Sequence, residues 1–100
     1  MPRVALDLNN PACQEAWFAL EREESLAVLA TLRKIHQMEW QQFYGDRGLR
    51  WEAILSRSGP GGVRIYSLRV TKRVRAVAYR ERDFLRLLSL HADHDSAYNR

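Results

Sequence analysis

Three apolar segments in the second half of the chain, each separated from the next by only three residues, constrain the fold most. Residues 63–70, 74–80 and 84–90 are rich in β-branched and aromatic side chains, which is typical of strands. Connections as short as 71–73 and 81–83 allow only antiparallel hairpins. The apolar phase changes between Ile65 and Tyr66, which predicts a bulge or a sheet covered on both faces.

The first half of the chain is predicted to contain one short strand followed by helices. Val4, Leu6 and Leu8 alternate with other residues and predict a short strand. Asn9 or Asn10 is a candidate helix N-cap with Pro11 in the first turn. After a polar break at 21–25, a long helix is predicted from 25 to about 44, so that the two helices form an αα-hairpin. Residues 45–54 are predicted to be a loop with one helical turn, and the SGPGG at 58–62 is predicted to break the chain before the sheet.

These segments predict one α+β domain over 1–100, with an N-terminal strand and an αα-hairpin packed on an antiparallel three- to four-stranded sheet. A chain of 100 residues supports one hydrophobic core. No stretch approaches the roughly 18 apolar residues of a membrane span, and the N-terminus does not have the pattern of a signal peptide. Cys13, the single cysteine, is predicted to be a small core residue. A cytoplasmic location is expected.

The net charge of +4 is unevenly distributed. Residues 1–50 carry six Lys/Arg and seven Asp/Glu, whereas residues 51–100 carry ten and five. Between positions 57 and 86, nine basic residues stand against two acidic ones: Arg57, Arg64, Arg69, Lys72, Arg73, Arg75, Arg80, Arg82 and Arg86 against Glu81 and Asp83. Such a basic region favours nucleic acid or an acidic protein segment as partner, and a merely solvated sheet face is the alternative. Arg57, Arg64, Lys72 and Arg73 are candidate RNA-binding residues.

The candidate catalytic residues are two arginines beside the first hairpin turn and three proton-transfer groups at the C-terminus: Arg69, Arg75, His91, His94 and Tyr98. RNA is cleaved by its own 2′-OH when one group removes that proton, cations stabilise the charge on phosphorus and an acid protonates the leaving oxygen. No metal or other cofactor is expected, because the closely spaced His91, Asp93, His94 and Asp95 make a weak ligand set. Alternatively, the histidines are exposed polar residues and Tyr98 packs on the sheet.

The order of these features resembles the RelE/ParE superfamily of bacterial type II toxins over nearly the whole chain. The sheet carries xYxLRVxxxxRxVxY, followed by a terminal HxxHxxxY. Arg75 matches the arginine on the middle strand of that family, Tyr98 matches the terminal aromatic residue of the RelE-like branch, and Arg69 matches a basic position of that branch. Ser67 and Ala92 depart from the RelE pattern, which has basic residues at both positions.

The resemblance implies a cytoplasmic toxin that a cognate antitoxin neutralises through an acidic amphipathic segment. In the RelE-like branch the toxin is an mRNA interferase, which cleaves messenger RNA on the ribosome by metal-independent 2′-OH attack. In the ParE-like branch it inhibits DNA gyrase. A third reading is a catalytically degenerate member of the fold that only binds an antitoxin or nucleic acid. The His/Tyr ending, which ParE-like toxins usually lack, favours the endoribonuclease.

Overall fold

The computed structural model describes residues 2–92, which form an α+β fold with three α-helices and a five-stranded sheet. The chain runs through β1 (Ala5–Asp7), α1 (Pro11–Phe18), α2 (Arg22–His36), α3 (Trp40–Gly45), β2 (Glu52–Ser58), a short 3₁₀ turn (Pro60–Gly62), β3 (Arg64–Arg69), β4 (Arg75–Glu81) and β5 (Phe84–His91). The strand order is β1-β5-β4-β3-β2. Strands β2 to β5 are antiparallel, and β1 joins β5 in parallel, so the predicted fold class is confirmed.

The first helix begins as its sequence predicts. The Asn10 side chain accepts a hydrogen bond of 2.8 Å from the backbone N–H of Ala12 and a weaker one of 3.4 Å from that of Cys13. Pro11 occupies the first turn, where its missing N–H costs nothing. Cys13 is buried and belongs to the core, as predicted. The second helix begins at Arg22, within the segment that was predicted to be a polar break.

The single long helix predicted over 25–44 is wrong, because the structure divides it into α2 and α3. Residues at the junction bond to the N-terminal segment instead: Met38 C=O accepts from the Val4 N–H at 2.9 Å, and the N–H of Trp40, the first residue of α3, donates to Pro2 C=O at 3.0 Å. The Gln42 side chain then accepts from the Glu39 N–H at 2.8 Å and supports the start of α3. The N-terminal segment thus stabilises the break between the helices.

The loop predicted over 45–54 is also wrong at its end, since β2 begins at Glu52. This edge strand is mostly exposed, and its place in the sheet comes from pairing with β3 rather than from an apolar pattern. The pairing shifts register between Ile54 and Ser58, whose partners are Ile65 and Arg64, next to the point where the apolar phase of β3 changes. The predicted irregularity is therefore present, with the extra residues on β2. A second register shift interrupts the β4–β5 pair between Val77 and Ala78.

The core lies between the helices and one face of the sheet. Its sheet side includes Leu68, Ala76, Ala78, Leu85, Leu87 and Leu90, and its helical side includes Cys13, Val28, Leu32, Ile35, Trp40 and Phe43. Side chains alternate between the two faces of a strand, so the residues between these core positions point to the opposite face. We call that surface the open face. It carries Arg69, Arg75 and His91, which makes it the place to look for a functional site.

Candidate functional site

Three candidate catalytic residues lie in one row across the open face. Arg69 on β3 pairs directly with Arg75 on β4, and Arg75 pairs directly with His91 on β5. Side chains of directly opposed residues start about 5 Å apart on the same face. The fold therefore brings together residues that are up to 22 positions apart in the sequence, and we call them the Arg69–Arg75–His91 row. All three side chains are half-buried.

The electrostatics of the row favour an anion. Like charges directly opposite each other in a sheet are unfavourable, and Arg69 and Arg75 are such a pair. A phosphate placed between two guanidinium groups relieves this repulsion and accepts hydrogen bonds from both. The row can accordingly stabilise negative charge at one point of the open face.

His91 lies in an environment that favours its neutral form. Burial lowers the pKa of His91 below its ordinary value of 6.5, and the positive charge of Arg57 lowers it further. Arg57 is on the edge strand β2, inside the segment where the pairing with β3 shifts register. The charge of Arg57 acts on His91 although two strands, β3 and β4, lie between β2 and β5 in the sheet.

Ser89 is a neighbour of His91 that the sequence analysis did not identify. Its hydroxyl lies 3.1 Å from His91 Nε2, within hydrogen-bond distance. The signal was present in the sequence, because residues 89 and 91 are two apart on one strand and so share a face. With one ring nitrogen held by Ser89, the other is left to exchange a proton with a ligand.

Two candidate RNA-binding residues lie just beyond the row, in the turn between β3 and β4. Lys72 and Arg73 are both exposed. The turn is fixed by Thr71, whose hydroxyl accepts from the N–H groups of Arg73 at 3.1 Å and Val74 at 3.0 Å. The same hydroxyl donates to Glu24 of α2 at 2.6 Å. Both cations are therefore presented to solvent on an anchored turn.

Other basic residues of the 57–86 region have structural contacts instead. Arg86 bonds to Asp7 and Glu81, tying β1 and β4 to β5. Arg80 lies over the Trp40 ring, 4.2 Å from its centroid, and donates to the Tyr44 hydroxyl at 3.0 Å. The basic region of the sequence thus includes cations at the open face, cations on the β3–β4 turn and cations that join elements. Arg64 belongs to neither group and lies on the surface near the β2–β3 connection.

His94 and Tyr98, the remaining candidate catalytic residues, lie outside the described residues, as do Asp93 and Asp95 of the candidate metal set. Within 2–92, no group of three or more His, Cys, Asp or Glu residues is arranged to hold a metal ion. The helices in this range all lack the length and hydrophobicity of a membrane-spanning segment.

Comparisons with known proteins do not establish a family for the chain. No family model matches it, and no curated protein is significantly similar to it. Among solved structures, the chain is similar to a copper-bound mutant toxin from Helicobacter pylori, with 18% sequence identity and a TM-score of 0.49. The similarity covers 95% of this chain and 98% of the other.

Proposed function

We propose that the chain is the toxin of a bacterial type II toxin–antitoxin system and a ribosome-dependent mRNA endoribonuclease. The observation that carries this proposal is the Arg69–Arg75–His91 row, which puts two arginines beside a histidine, a residue suited to proton transfer. The sequence pattern that resembles RelE/ParE toxins falls on the same strands, β3 and β4. The proposal places the toxin in the cytoplasm, where translating ribosomes and mRNA are found.

In this mechanism His91 is the general base. Its lowered pKa keeps the imidazole neutral near pH 7, so that it can accept a proton from the 2′-OH of the nucleotide before the cut. The 2′-oxygen then attacks the adjacent phosphorus, and Arg69 and Arg75 stabilise the additional negative charge on the phosphoryl oxygens. Ser89 acts as a positioning residue that holds the imidazole ring in one orientation.

The leaving 5′-oxygen takes a proton as its bond to phosphorus breaks. We assign this acid role to His94 or Tyr98, from their place in the sequence. The products are a 2′,3′-cyclic phosphate on the upstream RNA fragment and a 5′-hydroxyl on the downstream fragment. No redox partner is needed: His91 gains the proton that the 2′-OH loses, the acid gives one proton to the 5′-oxygen, and both groups return to their starting protonation states by proton exchange with water.

The partner in this proposal is a cognate antitoxin with an acidic amphipathic segment. An apolar groove of about 390 Å³ lies between α1, α2 and β1, with the half-buried Leu6, Leu8 and Trp17 among its walls. Arg33 and His36, at the end of α2, stand at the same groove. An amphipathic helix could place apolar side chains in the groove and acidic ones beside these basic residues.

Cleavage on ribosomes tests the proposed function. Purified protein is incubated with ribosomes translating a defined mRNA, and the RNA ends are mapped and chemically typed. We expect cuts with 5′-hydroxyl ends, and a loss of roughly 10²- to 10⁴-fold in rate for His91→Asn, because general base catalysis contributes about that much. His36→Asn, which changes an exposed histidine on α2, is the matched control. Uncut mRNA together with inhibition of gyrase supercoiling would move the protein to the ParE-like alternative.

A further inference from the structure

A second surface on this molecule combines stacked aromatic rings with arginines. Trp51, just before β2, and Tyr66 on β3 stack with ring centroids 4.3 Å apart and an angle of 12° between planes. Both rings are half-buried, so part of each reaches solvent. The buried Phe43 packs edge-on against Trp51 at 5.1 Å and holds the indole in place. The pair is thus a fixed aromatic platform at the surface.

The platform lies in a cleft of about 520 Å³ lined by Tyr44, Trp51, Val63, Arg64, Tyr66 and Arg80. Arg80 is held rigidly by its contacts with Trp40 and Tyr44. Arg64 is exposed, and no hydrogen bond or ion pair of its side chain occurs within residues 2–92. The cleft therefore offers one fixed cation and one that is available to a ligand.

This combination fits a nucleotide better than it fits a peptide. Flat aromatic rings bind nucleobases by stacking, and arginines beside them bind the phosphate, which is the usual design of single-stranded nucleic-acid sites. The volume is within the range of about 300 to 1,000 Å³ that small-molecule sites occupy. An acidic peptide would use the arginines but would leave the stacked rings without a matching group.

A line of basic residues connects the cleft with His91. Arg64 also lines a small hollow of about 150 Å³, and Arg57, whose charge acts on His91, lines the same hollow. On β3, Arg64 and Arg69 are five residues apart, roughly 17 Å along the strand. Odd spacing puts these two side chains on opposite faces of β3. Arg64 lines both the cleft and the hollow beside the β2–β3 connection, and Arg57 of that hollow is the residue whose charge reaches His91 on the open face.

We propose that this cleft binds one unstacked nucleotide of single-stranded RNA, a few nucleotides away from the phosphate that the Arg69–Arg75–His91 row holds. The distance from the phosphate at the Arg69–Arg75–His91 row rests on the proposed function. Nucleotide binding in the cleft does not, because it follows from the aromatic rings and arginines of the cleft alone. The base stacks on the Trp51–Tyr66 platform, and Arg64 contacts the phosphate.

Binding of an uncleavable single-stranded 2′-O-methyl RNA 12-mer to the full chain tests the proposal by fluorescence anisotropy. Tyr66→Ala should weaken binding roughly 5- to 100-fold, the usual effect of losing one stacking partner. Arg64→Ala should weaken binding and flatten its salt dependence by about one phosphate contact. Phe18→Ala and Arg22→Ala are matched controls, because both residues are exposed on the helices. Circular dichroism of each variant checks that it is folded. If Tyr66→Ala unfolds the protein, Tyr66→Leu, which removes the aromatic ring but keeps more of the side-chain volume, replaces it.

Wild-type affinity in folded Tyr66→Leu and Arg64→Ala variants would overturn the proposal. The proposal would also be overturned by an acidic peptide that displaces the RNA and whose own affinity falls more in Tyr66→Ala than the affinity for RNA does. The proposed function fails separately: if His91→Asn cuts mRNA at the wild-type rate while Tyr66→Ala still loses RNA affinity, the cleft stands and the catalytic assignment falls.

Discussion

At the scale of single residues, two effects act on His91 in the same direction. Burial removes water from the imidazole and penalises its charged form, and the cation of Arg57 repels a proton. Both keep the ring neutral below the pH at which a free histidine becomes charged. A neutral imidazole with one nitrogen held by Ser89 is the form that a general base requires.

Removing the charge of Arg57 should raise the pKa of His91. In Arg57→Ala, burial still lowers the pKa, but the repulsion of the proton is lost, so the value moves back toward 6.5. NMR titration of the His91 ring in wild type and variant measures the shift directly. If cleavage is measured too, the acid limb of the pH–rate profile should move to higher pH. Arg57→Lys, which keeps the charge, should stay close to wild type, and an unchanged pKa in Arg57→Ala would contradict this account.

Ser89→Ala tests the positioning role. Loss of one neutral hydrogen bond should lower the rate at saturating substrate about 2- to 10-fold, much less than loss of His91 itself. Ser89→Thr retains the hydroxyl and should recover most of the rate. NMR of the His91 ring should show a change in the balance of its two neutral tautomers in Ser89→Ala. Identical rates and identical ring spectra in Ser89→Ala and wild type would show that Ser89 does not orient the ring.

At the scale of elements, those with a local sequence pattern were predictable, whereas those that depend on hydrogen bonds to residues distant in the sequence were not. The strands β3, β4 and β5 agree with the prediction to within one residue at every end, because alternation and short turns identify hairpins. The strand β2 was missed, since a mostly exposed edge strand has no apolar pattern and depends on its pairing with β3. The helix break at 37–39 was missed because its hydrogen bonds go to Pro2 and Val4.

The same distinction applies to the candidate site. The pairing of Arg69 with Arg75 was predictable, since a hairpin with a three-residue turn places the flanking residues opposite each other. The position of Arg57 near His91 was not, because it depends on the register shift within β2. The Trp51–Tyr66 stack likewise joins a residue ahead of an unpredicted strand to one on a predicted strand.

The β3–β4 turn should depend on one hydroxyl. Thr71→Val removes the acceptor for the N–H groups of Arg73 and Val74 and the hydrogen bond to Glu24. Because Val74 is buried, its N–H would be left without a partner. We expect the free energy of unfolding to fall by about 1–3 kcal/mol, the usual result of leaving a buried donor unpaired. Urea unfolding at pH 7 measures the change. Thr71→Ser keeps the hydroxyl and is the control; equal stability of the valine and serine variants would argue against this role of the hydroxyl.

At the scale of the whole molecule, the net charge of +4 is a poor guide to where a partner binds. Arg80 and Arg86 support the fold through contacts with aromatic and acidic side chains. The basic residues proposed to meet phosphates or an acidic segment lie on the open face, on the β3–β4 turn and, as Arg64, in the Trp51–Tyr66 cleft. The apolar groove between α1, α2 and β1 lies apart from the row, so one long partner could contact both helices and sheet.

Binding of the proposed antitoxin should therefore weaken as salt concentration rises. Acidic residues of the partner would be attracted to a basic surface, and salt screens that attraction. Isothermal titration calorimetry with the product of a neighbouring reading frame, at several salt concentrations, measures the effect. Leu29→Glu, in the wall of the apolar groove, should reduce affinity at every salt concentration, whereas Glu15→Gln on the exposed side of α1 should not. Affinity independent of salt would contradict the proposed mode of neutralisation.

The central claim is that Arg75 stabilises the transition state, whereas Lys72 and Arg73 only bind RNA or the ribosome. Single-turnover cleavage of ribosome-bound mRNA, measured over a range of toxin concentrations, tests it most directly. Arg75→Ala should lower the rate constant at saturation by roughly 10²- to 10³-fold. Lys72→Ala and Arg73→Ala should leave that rate constant nearly unchanged and raise the concentration needed for saturation. A folded Arg75→Ala variant that cuts at the wild-type rate at saturation would contradict the account.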